Sequence, residues 1–162
     1  MKNIVDTITG KKVFEKSDNT NNTIAQKTQK ILDKFLKENK DYIVDIKSGE
    51  YMIYNSMIFD LGELRAFFND IDDPGSKINK DLKKKYNGGY IIPTEIRCFS
   101  DSGGVPRSFI TVDYVAYDLN GSKLYSKNET FKNIFYGNRR GIGTLSSEDG
   151  DRIYIDFLKK SS

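Results

Sequence analysis

Residues 87–99 read Asn-Gly-Gly-Tyr-Ile-Ile-Pro-Thr-Glu-Ile-Arg-Cys-Phe, and the pattern of the chain changes within this stretch. The two glycines end a helical pattern. After them, β-branched, aromatic and other apolar side chains recur at every second position, which predicts a strand with one buried face. Because Pro93 has no amide hydrogen to donate to a neighbouring strand, we expect this strand at a sheet edge or at a bulge.

Upstream of the glycines the chain is predicted to be mainly helical. An amphipathic helix is expected over about residues 23–38, where Thr23 and Gln26 form a capping box and apolar side chains recur at helical spacing. Residues 42–46 and 51–54 are rich in β-branched and aromatic side chains, and they predict a small hairpin.

Two further helices are predicted between this hairpin and the glycines. Asp60 can cap the first helix, which is expected to end before Pro74. Ser76 can cap the second, shorter helix, which is expected to stop at Asn87. The front half of the chain is therefore predicted to contain three helices around one hairpin.

Downstream of the glycines the pattern predicts strands. Residues 109–118 form a second long strand, and Asn120-Gly121 is a strong hairpin signal that predicts a short return strand. A last pair of strands is expected at residues 142–145 and 153–158, joined by an acidic turn around Gly150.

These elements predict an α+β fold, with N-terminal helices and a small hairpin followed by an antiparallel β-sheet or an immunoglobulin-like sandwich. The expected organisation is a flexible basic arm at residues 1–22, a helix–hairpin–helix lobe at 23–88 and an antiparallel β domain at 89–160. A single continuous domain over 23–160 is the alternative.

The composition excludes several kinds of chemistry. The 162 residues contain no histidine, which removes every mechanism that needs an imidazole base or ligand. Cys98 is the single cysteine, so neither an internal disulfide nor a multi-cysteine metal site can form. No cofactor is expected. The net charge is +3, from 26 basic and 23 acidic residues, which is mild for a strong nucleic-acid binder.

The hydropathy pattern predicts a location. No run approaches the roughly 18 apolar residues of a membrane-spanning helix. The apolar stretch after Lys2 is too short for a signal-peptide core, so a cytoplasmic location is expected. If the chain is a mature fragment whose leader has been removed, an extracytoplasmic location is expected instead.

Two groups of residues are candidates for binding an anion or a partner. Residues 137–143 are glycine-rich and contain adjacent arginines, which can grip a phosphate or stack on a base, although the lysine of a P-loop is missing. A run of three lysines lies on the third predicted helix, where a solvated helix face is the ordinary interpretation. The candidate contacts are Tyr136, Arg139, Arg140, Lys83, Lys84 and Lys85.

One motif resembles a known family. Residues 114–118, Tyr-Val-Ala-Tyr-Asp, followed by Asn120-Gly121, resemble the signature strand of bacterial FxLYD-type domains, with Tyr114 in place of the Phe and Ala116 in place of the Leu. Over residues 90–160 the resemblance implies an immunoglobulin-like β-sandwich, found mostly in extracytoplasmic bacterial proteins and without a catalytic site.

The function expected from the sequence is that of a non-enzymatic protein-binding module of bacterial type, such as an inhibitor, an immunity-like antidote or a surface accessory domain. The alternative is a weakly basic nucleic-acid-associated protein that uses its N-terminal arm, the three lysines and the two arginines. An enzyme that works with carboxylates, Lys, Arg or Tyr is the third interpretation. Steep loss of binding with rising salt would favour nucleic acid over a protein partner.

Overall fold

The computed structural model describes residues 18–101, 107–136, 139–140 and 145–161, and for 18–23, 135–136, 139–140 and 161 it describes the backbone alone. The helices are α1 (Asp18–Glu38), α2 (Leu61–Asp72), α3 (Lys77–Tyr86) and α4 (Ser147–Ser161), with a 3-10 turn at Lys40–Tyr42. The strands are β1 (Ile43–Ile46), β2 (Gly49–Tyr54), β3 (Met57–Asp60), β4 (Tyr90–Asp101), β5 (Arg107–Tyr117), β6 (Lys123–Lys132), β7 (Phe135–Tyr136) and β8 (Arg139–Arg140).

The strands form two antiparallel sheets, which confirms the predicted α+β class. One sheet has the order β1-β2-β3-β7-β8, and the other has the order β4-β5-β6. In the second sheet β4 lies at an edge, as the missing amide hydrogen of Pro93 predicts. Across the described residues, no helix has both the length and the hydropathy needed to cross a membrane.

The small hairpin predicted at residues 42–54 is confirmed, and a third strand extends it. Strand β1 pairs with β2 from Ile43 opposite Met52 to Ile46 opposite Gly49. Strand β3 then continues the sheet through a two-residue turn at Asn55. Both turn residues have positive φ, which is the type I′ geometry that fits the twist of a hairpin.

The chain divides into two compact units. The first comprises the described part of Met1–Asp33 with Phe67–Glu95 and Val112–Asn128, and the second comprises Lys34–Ala66, Ile96–Thr111 and Glu129–Ser162. Helices α1 and α2 and strands β4, β5 and β6 each contribute residues to both units. The domain boundaries predicted from the sequence stay a prediction.

In the first unit the connection from α2 to α3 is fixed by two polar side chains. Ser76 caps α3, as predicted, and its hydroxyl also donates to the carbonyl oxygen of Asp70 at 2.7 Å. The Asn79 side-chain nitrogen lies 3.1, 2.9 and 2.8 Å from the carbonyl oxygens of Asp70, Ile71 and Asp73, and its two hydrogens are shared among them, so it helps to satisfy the end of α2.

In the second unit a hydrophobic core joins the first sheet to α4. Its buried members come from β1, β2 and β3, from the segments before β7 and α4, and from α4 itself. They are Val44, Tyr51, Ile53, Ile58, Ile134, Leu145 and Ile153. Partly buried Tyr154 and Phe157 of α4 pack against this core, so one face of the helix is held by apolar contacts.

The predicted strand at residues 153–158 is wrong, because these residues belong to α4. The acidic stretch around Gly150 is the first turn of this helix and not a hairpin turn. The Ser146 hydroxyl accepts a hydrogen bond from the Asp149 amide at 3.1 Å, as an N-cap does. Of the partner strand predicted at 142–145, residues 142–144 lie outside the described residues.

Two boundaries also differ from the prediction. Helix α1 begins at Asp18, so the capping box at Thr23 lies inside the helix and does not start it. Of the predicted arm, residues 1–17 lie outside the described residues. The return strand β6 runs to Lys132 and is much longer than predicted, because pairing along β5 extends it beyond its apolar start.

Candidate functional site

The second unit contains an open groove of about 830 Å³ beside α4. Four segments line it: the 3-10 turn with the preceding Asn39, the β2–β3 hairpin, Ser100 of β4, and the last turns of α4. Met52 and Ile53 lie at its buried side, with side chains 1% and 5% exposed. The groove is therefore backed by the hydrophobic core of the unit.

Large apolar side chains also stand at the open side of the groove. Tyr42 is 50% exposed and Leu158 is 63% exposed, although both line the groove. The rings of Tyr42 and Phe157 lie 6.3 Å apart between centroids, with an angle of 31° between their planes. An apolar surface that continues from a buried floor to an exposed rim is typical of interaction sites.

Three hydrogen bonds from two side chains hold α4 in place along the groove. The Lys160 ammonium donates to the carbonyl oxygens of Lys40 and Ile43, the latter at 2.7 Å. At the other end, the Tyr154 hydroxyl donates to the carbonyl oxygen of Ser56. The groove is thus built on elements that are fastened to each other at both ends, and pre-organised sites lose less entropy on binding.

One end of the groove is polar. The Asn55 amide donates to the Ser100 hydroxyl at 2.9 Å, and that hydroxyl lies 3.0 Å from the Ser108 hydroxyl. The backbone amide of Ser108 donates to the Asn133 side-chain oxygen at 3.4 Å. Neither an amide nor a second hydroxyl can take up the proton of Ser100 at neutral pH, so this network suits hydrogen bonding to a ligand and not nucleophilic attack.

The predicted lysine run lies on the surface of the first unit. Lys83, Lys84 and Lys85 occupy the last turn of α3 and are exposed. Lys83 lines a cavity of about 450 Å³ together with Asp72, whose pKa is raised by burial despite a hydrogen bond from Gln29 that lowers it. These lysines are accessible, as a contact surface requires.

The predicted aromatic–arginine group lies on the β7–β8 hairpin of the second unit. Tyr136 pairs with Arg139 and Phe135 with Arg140, so the backbone brings Tyr136 and the arginines together as expected. For these residues the structure describes the backbone and not the side chains. Since the lysine run belongs to the first unit, the candidates fall into two separate groups.

Among the described residues, no group of three or more His, Cys, Asp or Glu is placed to hold a metal ion. Burial raises the pKa of the Cys98 thiol to about 11, so the thiol is protonated at neutral pH. Burial, followed by the nearby Asp60 charge, also raises the pKa of Glu63.

The sequence did not predict the groove, because residues 153–158 of α4 were expected to form a strand and residues 148–151 a turn. A signal for the helix is present: Ser146 and Asp149 stand three residues apart, and Ile153 and Phe157 follow at helical spacing. Compared with known protein families, characterised proteins and solved structures, the chain shows no significant match to any of the three. The function is therefore argued from the site itself.

Proposed function

We propose that this protein is a non-enzymatic protein-binding module of bacterial type, an inhibitor, immunity-like or surface accessory domain, and that the groove of its second unit receives an apolar segment of the partner. The observation that carries the proposal is that one groove is lined both by the buried Met52 and by the exposed apolar side chains of Tyr42 and Leu158. Covering these two half-exposed side chains would contribute about 1 kcal/mol each to binding.

The shape of the groove favours a polypeptide over a small molecule. Small-molecule sites usually enclose most of the ligand, whereas this groove leaves Tyr42 and Leu158 open to solvent. An amphipathic helix or strand can place apolar side chains in the groove and keep its polar face in water. The Asn55 and Ser100 side chains then supply hydrogen-bonding groups for the backbone of that segment.

Two further points support the details of the proposal. The non-enzymatic part rests on the sequence, which contains no histidine. The bacterial type rests on the resemblance of residues 114–118 to FxLYD-type domains, and the immunoglobulin-like class stays a prediction on the same ground. A cytoplasmic location is likewise proposed from the sequence pattern alone.

Selection from a library of short random peptides tests the proposal. Peptides enriched on the wild-type protein should carry aromatic or aliphatic residues at a regular spacing. The variant Leu158→Lys, which places a charge at the rim of the groove, should lower the affinity for the enriched peptides by about tenfold or more. Titration calorimetry measures the affinity of each variant.

Ile155→Lys is the matched control. Ile155 lies on the same helix and is 53% exposed, but it does not line the groove. The affinity of the Ile155→Lys protein for the same peptides should stay within about twofold of wild type. If both variants bind as tightly as wild type, or if no peptide is enriched, the groove is not the docking site and the proposal is wrong.

A further inference from the structure

A pair of tyrosines flanked by lysines lies on the first unit, and neither tyrosine was a candidate from the sequence. Tyr86, the last residue of α3, and Tyr125 of β6 have ring centroids 6.2 Å apart, with their planes at 41°. The Lys85 ammonium lies 5.6 Å from the centre of the Tyr86 ring. The Lys127 ammonium lies 4.8 Å from the centre of the Tyr125 ring.

We infer that these four residues form a contact site for single-stranded nucleic acid, with bases stacking on the tyrosines and phosphates bound by the lysines. Such surfaces combine aromatic side chains that stack with bases and positive charges that follow the backbone. Here the two tyrosine rings and the two lysine ammonium groups provide both features within one cluster. Lys83, Lys84 and Lys123 are exposed on the same two elements and extend the positive charge.

The acidic groups near this tyrosine–lysine cluster do not cancel its positive charge. Asp81 is the acidic group whose charge acts on Tyr125, and its carboxylate forms a salt bridge to Lys77 at 3.1 Å. Glu129 lies further along β6 and is exposed. The cluster lysines therefore outnumber the acidic group that faces the tyrosines, and the surface is complementary to a phosphate backbone.

The aromatic pair favours a single strand over other polyanions. Bases in a duplex present only their edges, whereas the bases of a single strand offer their faces for stacking. An acidic peptide has carboxylates but no planar base to stack on a tyrosine. This surface is distinct in residues and unit from the groove proposed above, so either proposal can fail while the other stands.

Fluorescence anisotropy with a labelled oligo(dT) of about 12 nucleotides tests the inference on the full chain. Tyr86→Leu and Tyr125→Leu should each weaken binding about fivefold or more, because stacking on a tyrosine is lost while an apolar side chain remains. Lys85→Gln and Lys127→Gln should each reduce the slope of log affinity against log salt by about 0.7.

The controls separate stacking from general charge attraction and from misfolding. Lys132→Gln, at the far end of β6, and Phe99→Leu, at an exposed aromatic residue of the second unit, should leave affinity within about twofold. Tyr125→Phe keeps the ring and should bind like wild type, which would show that a loss in Tyr125→Leu is due to the missing ring. A polyglutamate peptide of the same length should bind weakly.

Three results would overturn the inference. One is an absence of oligo(dT) binding at low salt. Another is equal binding of oligo(dT) and polyglutamate, which would indicate a general polyanion or acidic-protein contact. The third is unchanged affinity in both leucine variants, which would show that no base stacks on the pair.

Discussion

Gly89 occupies a position that no other residue can take without moving the chain. Its φ is +147°, in a region that residues with a side chain rarely adopt. A Cβ atom there would lie 2.2 Å from the Tyr117 carbonyl oxygen and 3.3 Å from the Asp118 Cα atom. Because real Cβ atoms essentially never come closer than 3.0 Å, the two backbone segments must separate by about 0.8 Å in Gly89→Ala.

The expected loss of stability has two parts. The unfavourable backbone conformation costs about 1–3 kcal/mol, and forced movement of a packed segment costs roughly another 1–3 kcal/mol. The free energy of unfolding should therefore fall by about 2–6 kcal/mol. For a chain of this size each kcal/mol lowers Tm by roughly 2–4 °C, so a drop of at least about 4 °C is expected.

Thermal melting followed by circular dichroism measures this drop, and Gly75→Ala is its control. Gly75 has no positive φ, and a Cβ atom there would meet only the Asp73 carboxylate, at 3.4 Å. The free energy of unfolding of the Gly75→Ala protein should differ from that of wild type by no more than about 0.5 kcal/mol. A Tm for Gly89→Ala equal to that of Gly75→Ala would refute the close approach of Gly89 to Tyr117.

Two other predictions test the polar and titrating groups. Asn79→Ala removes the amide that is shared among three carbonyl oxygens at the end of α2, and urea unfolding should show a loss of about 1–3 kcal/mol, whereas the exposed neighbour Lys80→Ala should be nearly neutral. Burial raises the pKa of Cys98 to about 11, so the thiolate fraction near pH 8 is about a hundredfold lower than in the unfolded chain. Alkylation by iodoacetamide at that pH should be slower by up to about that factor in the native protein than in urea, and it should accelerate as the pH rises towards 11. Equal rates in the native and unfolded protein would contradict a buried, protonated thiol.

Local signals in the sequence predicted the elements that they control directly. The Ser76 cap, the end of α3 at Asn87 and the edge position of the Pro93 strand are confirmed, and the structure adds that Asn87 is left-handed. Each of these depends on the chemistry of a few neighbouring residues: a side-chain acceptor, a residue that tolerates positive φ, and a missing amide hydrogen. Such signals need no information from distant parts of the chain.

Helix α4 was mispredicted because its sequence fits two periods at once. Ile153, Ile155 and Phe157 alternate as a strand would, yet Ile153 and Phe157 are also four residues apart, as on one helix face. In the structure Ile153 is fully buried while Ile155 is 53% exposed, so packing against the core of the second unit selects the helical period. That selection depends on contacts with distant strands.

The candidate sites were predicted only where their residues are neighbours in sequence. The lysine run and the Tyr136–Arg140 hairpin are local features, and both were found as candidates. The groove contains both Tyr42 and Leu158, and the tyrosine–lysine cluster contains both Tyr86 and Tyr125. These pairs become neighbours only through the tertiary fold, which local patterns do not encode.

The turn at Asn55 and Ser56 connects one end of the groove to two segments that lie far along the chain. Both residues have positive φ, 52° and 63°, which is unfavourable for a residue that is not glycine. The contacts that hold them come from far along the chain: Ser100 binds the Asn55 amide, and the Tyr154 hydroxyl binds the Ser56 carbonyl. The position of this turn is therefore fixed by both β4 and α4, so a change that removes either contact is expected to alter the end of the groove that the turn forms.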